Sequence, residues 1–468
     1  MTVDESAKEA STDDLSVRAA LPRTVGSTVA INAVPDAYLL IDSPHCTYRR
    51  IAYVQGNHDY MSTLAWYPDT PRVTNTELTP LDVIRNRDEA IVRELLSLTE
   101  HPQAGVVLVD AMAMALITAT DYDRLCARAK EKTTKPVLRV PHRSLTSDHL
   151  TGYADVMEAL ASGLPLHPNP SKTGNRVGLV GYYWDRNEGD HRGNMTELER
   201  IADALGLEWT TPWLSGSPSS ALRDIENAQW IVSLPYGRKA AQILAKRLGC
   251  PLLRAEYPFG LAASLRFIVA LGVMTGRLSA ALTFVQAELE TILPRLAWVV
   301  PFALLHRRIG FLGDPHLELG MQEMASLWGC TMPFAATSCL PRHARDSAPD
   351  YGNALHDPSI PEDVRTLMNI DQPVDAPSNF LSYPHVRELV RELEHLAQEQ
   401  RLDVLVTNSL GFLTKGIGIV EFGFPSYHTH ALIDRPFVGL LGFLTMMERV
   451  VNALRAHEVQ MAQSSGGV

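Results

Sequence analysis

The sequence predicts an α/β fold with parallel sheets, because short apolar runs alternate with helical stretches along most of the chain. Two blocks open in the same way, with an apolar strand and a Gly-bearing turn: RVGLVG at 176–181 and RIGFLGDPH at 308–316. This pattern is typical of repeated Rossmann-like units, whose ligands bind at the carboxyl ends of the strands. A chain of 468 residues, at roughly 150 residues per domain, suggests about three domains.

The predicted strands are short and bounded by Gly, Pro or Asp. In chain order they are Ala37–Ile41, Gly105–Val109, Pro136–Val140, Arg176–Gly181, Gln229–Leu234, Arg308–Leu312 and Leu402–Thr407. A helix is predicted over Thr196–Leu205, with Asn194 as its N-cap and Gly206 just past its end. A second helix is predicted over His385–Gln400, where charged residues and Leu recur at helical spacing.

These elements divide the chain into three predicted Rossmann-like domains. The first covers 23–170, ends in a Pro/Asn/Gly-rich linker and is joined by C-terminal helices at 435–460. The second covers 171–290 and the third 291–434. Residues 1–22 are acidic and lack apolar periodicity, so we expect a disordered arm there.

Composition excludes several classes of protein. The net charge of −11 argues against a nucleic-acid binder, which needs clustered cations. The longest apolar stretches are interrupted before about 18 residues, so we expect no membrane span. The five cysteines are too few, and odd in number, for a secreted disulfide framework, so a cytoplasmic protein is expected.

Several catalytic motifs are missing from the sequence. It has no G-x-x-x-x-G-K-[ST] loop, and no G-x-G-x-x-G follows a strand, so any ATP requirement has to come from a partner. It also lacks H-E-x-x-H and G-x-S-x-G, which argues against hydrolases. With no C-x-x-C pair, a self-contained zinc ribbon or ferredoxin loop is excluded.

Cys46 is the cysteine best placed to bind a ligand, because it follows an apolar strand in the turn of LLIDSPHCTY. The alternative is a half-buried free thiol. We interpret Cys126, Cys250 and Cys330 as packing residues. Cys339 stays open, because His343 follows it closely.

His428 and His430 lie in a Tyr-rich, Pro-bounded segment that we interpret as extended. Two residues apart in an extended segment, they would point the same way and bind a metal or supply protons; the alternative is a pair of structural histidines. Asp434 and Arg435 are expected to form a local ion pair.

Two strand ends also carry polar groups, in Gly313-Asp314-Pro315-His316 and in Thr407-Asn408-Ser409. Such groups line a cleft or cap the following helix, and capping is the simpler interpretation for both.

Together these segments resemble the nitrogenase component 1 superfamily, which includes the nitrogenase catalytic subunits, scaffold proteins for cofactor assembly and the dark-operative reductases of chlorophyll synthesis. The resemblance covers about residues 25–455. The matching segments are the SPHC turn, NTELTPLDVI (75–84), VPHRSLTSDHLTGYADVMEAL (140–160), RVGLVG with ELERIADALGLE, GDPH, DVLVTNS and GFPSYHTHALIDRPFVGLLGF.

The resemblance implies three Rossmann-like domains around a central cleft, an interfacial [4Fe-4S] cluster shared with a second component 1-like subunit in an α2β2-type heterotetramer, and a separate iron-protein ATPase that delivers electrons. Cys46 matches the first cluster-ligand position. The second and third positions fall near residue 71 and in 110–114, where no Cys occurs. Four ligands are needed, so a partner would supply the others. Asp110 or Asp42 would add an oxygen ligand, and both rank below Cys46 as candidate ligands.

The cysteine that binds the cofactor of true nitrogenases would fall in 231–239, which has no Cys, whereas a histidine survives as His428 or His430. Dinitrogen reduction is therefore not expected. The leading hypothesis is a subunit of an ATP-dependent reductase of an organic substrate, with His428, His430 and His316 as proton donors. The alternatives are a scaffold for metal-cofactor assembly and a degenerate partner subunit without catalysis.

Overall fold

The computed structural model describes residues 20–465 apart from 46, 66–70, 117, 144–145, 173, 371–379, 383–384, 400 and 413. Three parallel sheets form the frame of the described chain. The predicted arm at 1–22 lies almost entirely outside the described residues, and Cys46 lies outside them as well.

The strands are β1 Ala37–Asp42, β2 Val73–Asn75, β3 Val106–Ala111, β4 Val137–Arg139, β5 Arg176–Val180, β6 Glu208–Trp209, β7 Trp230–Ser233, β8 Leu252–Arg254, β9 Arg308–Leu312, β10 Thr331–Thr337, β11 Phe380–Ser382, β12 Val404–Thr407 and β13 Gly418–Glu421.

The helices are α1 Arg23–Asn32, α2 Thr47–Val54, α3 Asp88–Glu100, α4 Ala113–Leu116, α5 Tyr122–Lys130, α6 His149–Gly163, α7 Gly189–Ala204, α8 Arg238–Leu248, α9 Leu261–Met274, α10 Leu278–Val299, α11 Glu318–Leu327, α12 Arg342–Asp346, α13 Glu362–Leu367, α14 Val386–Gln398 and α15 Gly439–Ser465. Short 3-10 helices cover Pro80–Val83, Ala221–Asn227, Pro235–Gly237 and Ala354–His356, and a π-helical turn covers Val300–Leu304.

The strand orders are β2-β1-β3-β4, β6-β5-β7-β8 and β11-β10-β9-β12-β13, and the strand pairs within each sheet are parallel. The first strand of each sheet has a later strand on either side, which creates a topological switch point. The predicted α/β class with parallel sheets is confirmed. Strands β1 and β3 are buried along their whole length, as is typical of parallel sheets covered on both faces.

All seven predicted strands exist within one or two residues of the predicted bounds. The predicted N-cap was wrong: Asn194 lies inside α7, which begins at Gly189. The polar stretch before Thr196 packs tightly against the 431–436 segment, since a Cβ on Gly189 would meet the backbone of Ile433 at 2.5 Å. We attribute the earlier start of the helix to this packing. Gly206 does follow the helix, with φ +64.

Helices α1 and α6 pack against each other over the first sheet, and glycines permit their close approach. A Cβ on Gly26 would lie 1.6 Å from the His149 carbonyl oxygen, and one on Gly152 would lie 1.9 Å from the Arg23 carbonyl oxygen. This contact orients the face of α6 that lines the central cleft.

The C-terminal helix α15 packs on β12 and β13 and also on α7 and α9. It therefore contacts elements of the predicted second and third domains. The predicted domain boundaries, including the assignment of 435–460 to the first domain, stay a prediction.

Candidate functional site

A cleft of about 510 Å³ lies where the three predicted domains meet. One wall is α6, another is the segment after β7, and the third comes from the segments after β9 and β10. The lining residues are Arg23, His142, Arg143, Ser147, Leu150, Thr151, Ala154, Asp155, Glu158, Pro235, Tyr236, Gly237, Arg238, Lys239, Gln242, Arg254, His316, Arg342, His343 and Asp346. Ligand sites in such folds lie at the carboxyl ends of the strands, and the ends of β7 and β9 meet here.

Some of the cations in this cleft are neutralised by carboxylates. Arg23 forms salt bridges with Asp110 and Asp155 and is buried. Arg143 and Lys239 both pair with Glu158, at 2.5 and 3.1 Å. These pairs fix the wall formed by α6, and they leave little charge for a ligand.

Three further arginines, Arg238, Arg254 and Arg342, have no salt-bridge partner within the described part of the chain. Arg238 donates to the carbonyl oxygens of Ser233, Asp346 and Ser347 rather than to a carboxylate. Burial and the neighbouring Arg254 lower the pKa of Arg238 to about 9. Carbonyl groups orient a guanidinium without cancelling its charge, so this end of the cleft attracts an anion.

His316 lines the cleft and is buried. Its Nδ1 lies 2.6 Å from the Ser347 hydroxyl oxygen, and that hydroxyl donates to the carbonyl of His343 at 3.1 Å. Nδ1 of His316 therefore carries the proton, and Nε2 is an acceptor. Burial lowers the pKa of His316 well below its ordinary value, so the ring is neutral at neutral pH.

His343 is held against Asp148, with Nε2 2.8 Å from Oδ1. Asp148 also accepts from the N–H groups of Thr151 and Leu340, so it joins the start of α6 to the segment after β10. The pKa of Asp148 is well below its ordinary value, because the hydrogen bond and charge of His343 outweigh burial.

Asp314 does not cap α11, although capping was the simpler expectation for the GDPH segment. Leu317 precedes that helix and offers no side-chain cap. One oxygen of Asp314 instead accepts the N–H of His316 at 2.8 Å, which shapes the turn after β9. Asn408 likewise accepts the N–H of Leu410 in a turn that no helix follows.

The segment with His428 and His430 is irregular rather than extended, and Phe424–Pro425 in it is a cis peptide. The two histidines contact different neighbours. His428 is exposed and stacks on Phe412 at 4.1 Å between ring centroids.

His430 stacks on Tyr60 at 3.7 Å, and its Nδ1 lies 2.7 Å from Glu188. Its Nε2 is buried and has no hydrogen-bond partner in the part of the chain that the structure describes. Donating protons stays a prediction for both histidines.

The expected ion pair between Asp434 and Arg435 does not form. Asp434 pairs with Arg192 at 3.1 Å, and Arg435 pairs with Glu448 at 3.1 Å. Because α7 and α15 lie on either side of this segment, each residue has an opposite charge on a neighbouring helix that is better placed than its sequence neighbour.

Asp110, the predicted oxygen ligand for a metal, ends β3 and is buried. Its oxygens accept from Arg23, from the Ser27 hydroxyl at 2.6 Å and from the Ala111 N–H at 2.8 Å. Asp42 is similarly bound, by Arg87 and Tyr122. The metal role of Asp110 stays a prediction, and it would require Arg23 to move away.

The described cysteines are Cys126, Cys250, Cys330 and Cys339, and all are buried. The packing role predicted for the first three agrees with this, and Cys250 and Cys330 also donate to carbonyl oxygens. Within the described ranges, no group of three or more His, Cys, Asp or Glu side chains is arranged to hold a metal ion. These residues alone therefore do not fit a four-iron cluster.

The arginines of the cleft were not among the predicted site residues. Segment 231–239 ends in Arg238 and Lys239, a few residues after the predicted strand Gln229–Leu234. Cations at the carboxyl end of a predicted parallel strand were the available signal. Arg254 and Arg342 are distant in sequence, and only the fold brings them together.

None of the helices in the described ranges is both long enough and apolar enough to cross a membrane.

Comparison with protein families gives one match across most of the chain. A family model described as nitrogenase component 1 type oxidoreductase matches residues 23–455. A nitrogenase molybdenum-iron protein beta chain of Methanococcus maripaludis is 21% identical over 340 residues, which are 68% of this chain and 67% of that protein. A beta chain from another strain of the same species is 22% identical over 243 residues, 51% of this chain and 47% of that one.

Solved structures give the same picture at the level of the fold. A structure titled nitrogenase Cp1 at pH 6.5 superposes with a TM-score of 0.73 and 14% identity, covering 96% of this chain and 95% of that chain. A second, at pH 5, has a TM-score of 0.66 and 11% identity, covering 97% and 91%. At such identities the likeness concerns the fold alone.

Proposed function

Because the chain belongs to the nitrogenase component 1 type oxidoreductases, we propose that it is a subunit of an ATP-dependent reductase and binds an anionic organic substrate in the central cleft. Electrons come from a separate iron-protein ATPase. The observation that carries the proposal is the cleft itself, whose arginines without carboxylate partners lie at strand ends where ligands of this fold class bind.

The charge of the cleft defines the class of substrate. Arg238, Arg254 and Arg342 offer donors on one side of the cleft, and a guanidinium binds carboxylate or phosphate through paired hydrogen bonds. A volume of about 510 Å³ is within the range of pockets for small organic ligands. We therefore propose an unsaturated organic molecule that carries acidic groups.

A partner subunit is part of the proposal. The two curated relatives are named beta chains, which supports a complex with a second, different chain. The described residues do not fit an iron–sulfur cluster by themselves, so this chain contributes at most Cys46 and the partner supplies the other ligands. Substrate binding and proton supply are the tasks that we assign to the described residues.

The test is electron transfer in the assembled complex. We would co-purify the chain with its component 1-like partner, mix the complex with the reduced iron-protein ATPase, and follow the donor's visible absorbance by stopped flow. We expect ATP-dependent oxidation of the donor, and no oxidation with the partner subunit alone. A complex that never oxidises the donor would contradict the reductase proposal and favour the degenerate-subunit alternative.

A second measurement concerns Cys46. Iron and sulfide per heterodimer are expected to fall in Cys46→Ser, whereas Cys126→Ser, which changes a buried thiol in α5, serves as the matched control. Unchanged iron and sulfide in Cys46→Ser would show that Cys46 is not a cluster ligand.

A further inference from the structure

A second, smaller cavity lies behind the wall of the central cleft. Its volume is about 30 Å³, and it is enclosed by residues that follow β5, β7 and β9 together with the 422–424 segment. A buried water needs roughly 10–15 Å³ of such space and two to four polar partners. The cavity therefore has room for one or two waters, provided that polar groups face it.

Polar groups do face this cavity. Tyr183, Asp185, His191, Tyr236, Tyr257 and Asp314 line it. Tyr183 is 6% exposed, and its hydroxyl has no hydrogen-bond partner among the described residues. Buried hydroxyls are rarely left unpaired in native proteins, so the Tyr183 hydroxyl indicates a bound water.

Asp314 is the acid of this cavity. Its carboxyl accepts the N–H of His316 at 2.8 Å and interacts with the Tyr236 hydroxyl. It has no salt-bridge partner in the part of the chain that the structure describes. Burial raises the pKa of Asp314 to about 7, against the weaker opposite effects of these hydrogen bonds.

Tyr236 connects the cavity to the cleft. Among the described residues it alone lines both spaces. Its ring is fixed between Tyr183, which stacks on it at 4.7 Å, and His316, which contacts it edge-on at 4.6 Å. The Tyr236 hydroxyl is thus held at one place by its neighbours.

Other titratable groups surround Asp314 on every side. They are Asp185 and Arg186 before α7, Asp190 and His191 in its first turn, Tyr183 after β5, Tyr236 after β7, Tyr257 after β8, His316 after β9, Cys339 after β10, His343 on α12 and Asp148 before α6. Arg186 is paired with Asp190, His191 contacts Asp185, and His343 pairs with Asp148. These charges are matched within pairs, whereas Asp314 forms no salt bridge among the described residues.

We propose that Asp314 and Tyr236 form a proton-donating pair for the reduction in the central cleft, supplied with protons by water in the small cavity. This inference rests on the proposed function. When the substrate has accepted an electron from the iron-protein donor, it takes the phenolic proton of Tyr236 while Tyr236 takes the carboxyl proton of Asp314. The Asp314 carboxylate then takes a proton from a cavity water, and that water regains a proton from bulk solvent, so the net proton comes from the solvent.

The pair suits this task better than His316, the histidine predicted from the sequence. A general acid acts best when its pKa lies near the working pH. His316 is neutral at that pH, with its Nδ1 proton bound to Ser347. The backbone N–H of His316 nevertheless stabilises the Asp314 carboxylate left after proton transfer, which makes His316 a positioning residue.

The first test needs no activity and no partner. Infrared difference spectra of the isolated chain between pH 5 and 9 report protonated carboxyl groups. We expect a carboxyl band that titrates near pH 7 and is lost in Asp314→Asn, and that shifts in frequency in Tyr236→Phe, where one hydrogen bond is missing. The matched control is Glu318→Gln, a buried carboxyl outside both spaces, which removes a different band. A carboxyl band of Asp314 that titrates near pH 4 would overturn the proposal.

The second test uses the complex with its partner and the iron-protein donor. We expect the turnover rate to fall at least about 100-fold in Asp314→Asn, the range lost with a general acid, with donor oxidation still occurring. Glu318→Gln should keep its rate within about twofold. Full turnover in Asp314→Asn would overturn the proposal. If wild type never oxidises the donor, the proposed function fails instead, and the infrared titration still decides whether Asp314 is the acid.

Discussion

Two arginines of this fold, Arg72 and Arg238, keep a positive charge that no carboxylate in the described part of the chain neutralises through a salt bridge. Arg72 is fully buried, and its guanidinium donates to the carbonyl oxygens of Ile31, Val34 and Ala37. Arg238 is held in the same way, but at the wall of the cleft. The first arginine joins α1 to β1, whereas the second presents its charge to a ligand.

Arg238→Gln should weaken anion binding in the cleft. A hydrogen bond to a charged group contributes about 1.5–3 kcal/mol, so we expect inorganic sulfate to bind about 10- to 100-fold more weakly, as measured by isothermal titration calorimetry. Arg223→Gln is the control, because Arg223 is exposed and pairs with Glu226 away from the cleft.

The same titration has a pH dependence. The pKa of Arg238 is lowered to about 9, so its charge is present at pH 7 and is lost as the pH rises through 9. Sulfate affinity of the wild type should therefore fall between about pH 8 and 10, and that fall should be absent in Arg238→Gln. Equal sulfate affinities of both proteins at pH 7 would contradict this assignment.

Glu318 gives a stability prediction with a definite sign. Burial raises its pKa from 4.5 to about 7, and within the described ranges its Oε1 has no hydrogen-bond partner. Between these pH values the unfolded chain has lost the proton that the folded chain keeps, so the free energy of unfolding falls as the pH rises. Glu318→Gln should remove a penalty of up to about 3 kcal/mol at pH 8 and change little at pH 4.5.

Urea denaturation at the two pH values measures this effect. We expect a higher midpoint for Glu318→Gln than for wild type at pH 8 only. A variant that is less stable than wild type at pH 8 would show that the charged Glu318 has a partner.

At the scale of elements, most inner strands of the sheets could be predicted from the sequence and most edge strands could not; the exceptions are the inner strand β10 and the edge strand β4. Strands β1, β3 and β9 consist mainly of apolar residues. Strands β2, β6 and β11 have three residues or fewer, too short for a periodic signal. The start of α7 was missed because contacts distant in sequence, rather than local caps, determine it.

The candidate site was less predictable than the fold. His316 and the GDPH turn were recognised because they directly follow a predicted strand. Tyr236, Arg254 and Arg342 come from three separate segments, and their proximity depends on how the sheets pack. The orientation of His428 and His430 likewise follows from their neighbours Phe412 and Tyr60, which spacing in the sequence does not reveal.

The contact between α1 and α6 predicts a strong effect of one methyl group. Gly26→Ala places a Cβ 1.6 Å from the backbone oxygen of His149, so the helices have to separate. We expect a loss of about 3 kcal/mol, at the upper end for overpacked sites, measured as a lower urea midpoint.

Gly163→Ala in α6 is the control, because its Cβ would meet only the Leu138 side chain, which is able to change rotamer. An equal loss of stability in the two variants would show that the clash with the His149 backbone is not what destabilises Gly26→Ala.

At the scale of the whole molecule, the segment that leads into α7 connects all three predicted domains. Asn187 donates to Asp59 in the first of them. Glu188 accepts from His430 at 2.7 Å and from the Ala431 N–H at 2.7 Å in the third. Since Glu188 is 2% exposed, these hydrogen bonds are shielded from water.

Glu188→Ala should therefore loosen the 424–434 segment without unfolding the sheets. Removing the carboxylate leaves the buried N–H of Ala431 without its acceptor, which costs about 1–3 kcal/mol, and we expect faster amide hydrogen exchange in peptides that cover 424–434. Peptides of β1 and β3 should keep their protection. Glu226→Ala, which removes an exposed pair with Arg223, is the control. Unchanged exchange at 424–434 would contradict the connecting role of Glu188.

The position of α15 has a consequence for biosynthesis. This helix packs on β12, β13, α7 and α9, yet the ribosome makes it after all of them. Domains generally fold in the order of their synthesis, so a nascent chain presents the third sheet and helices α7 and α9 before α15 covers them. The step that completes this part of the molecule therefore waits for α15, and chaperone contact is expected to be greatest just before α15 emerges from the ribosome.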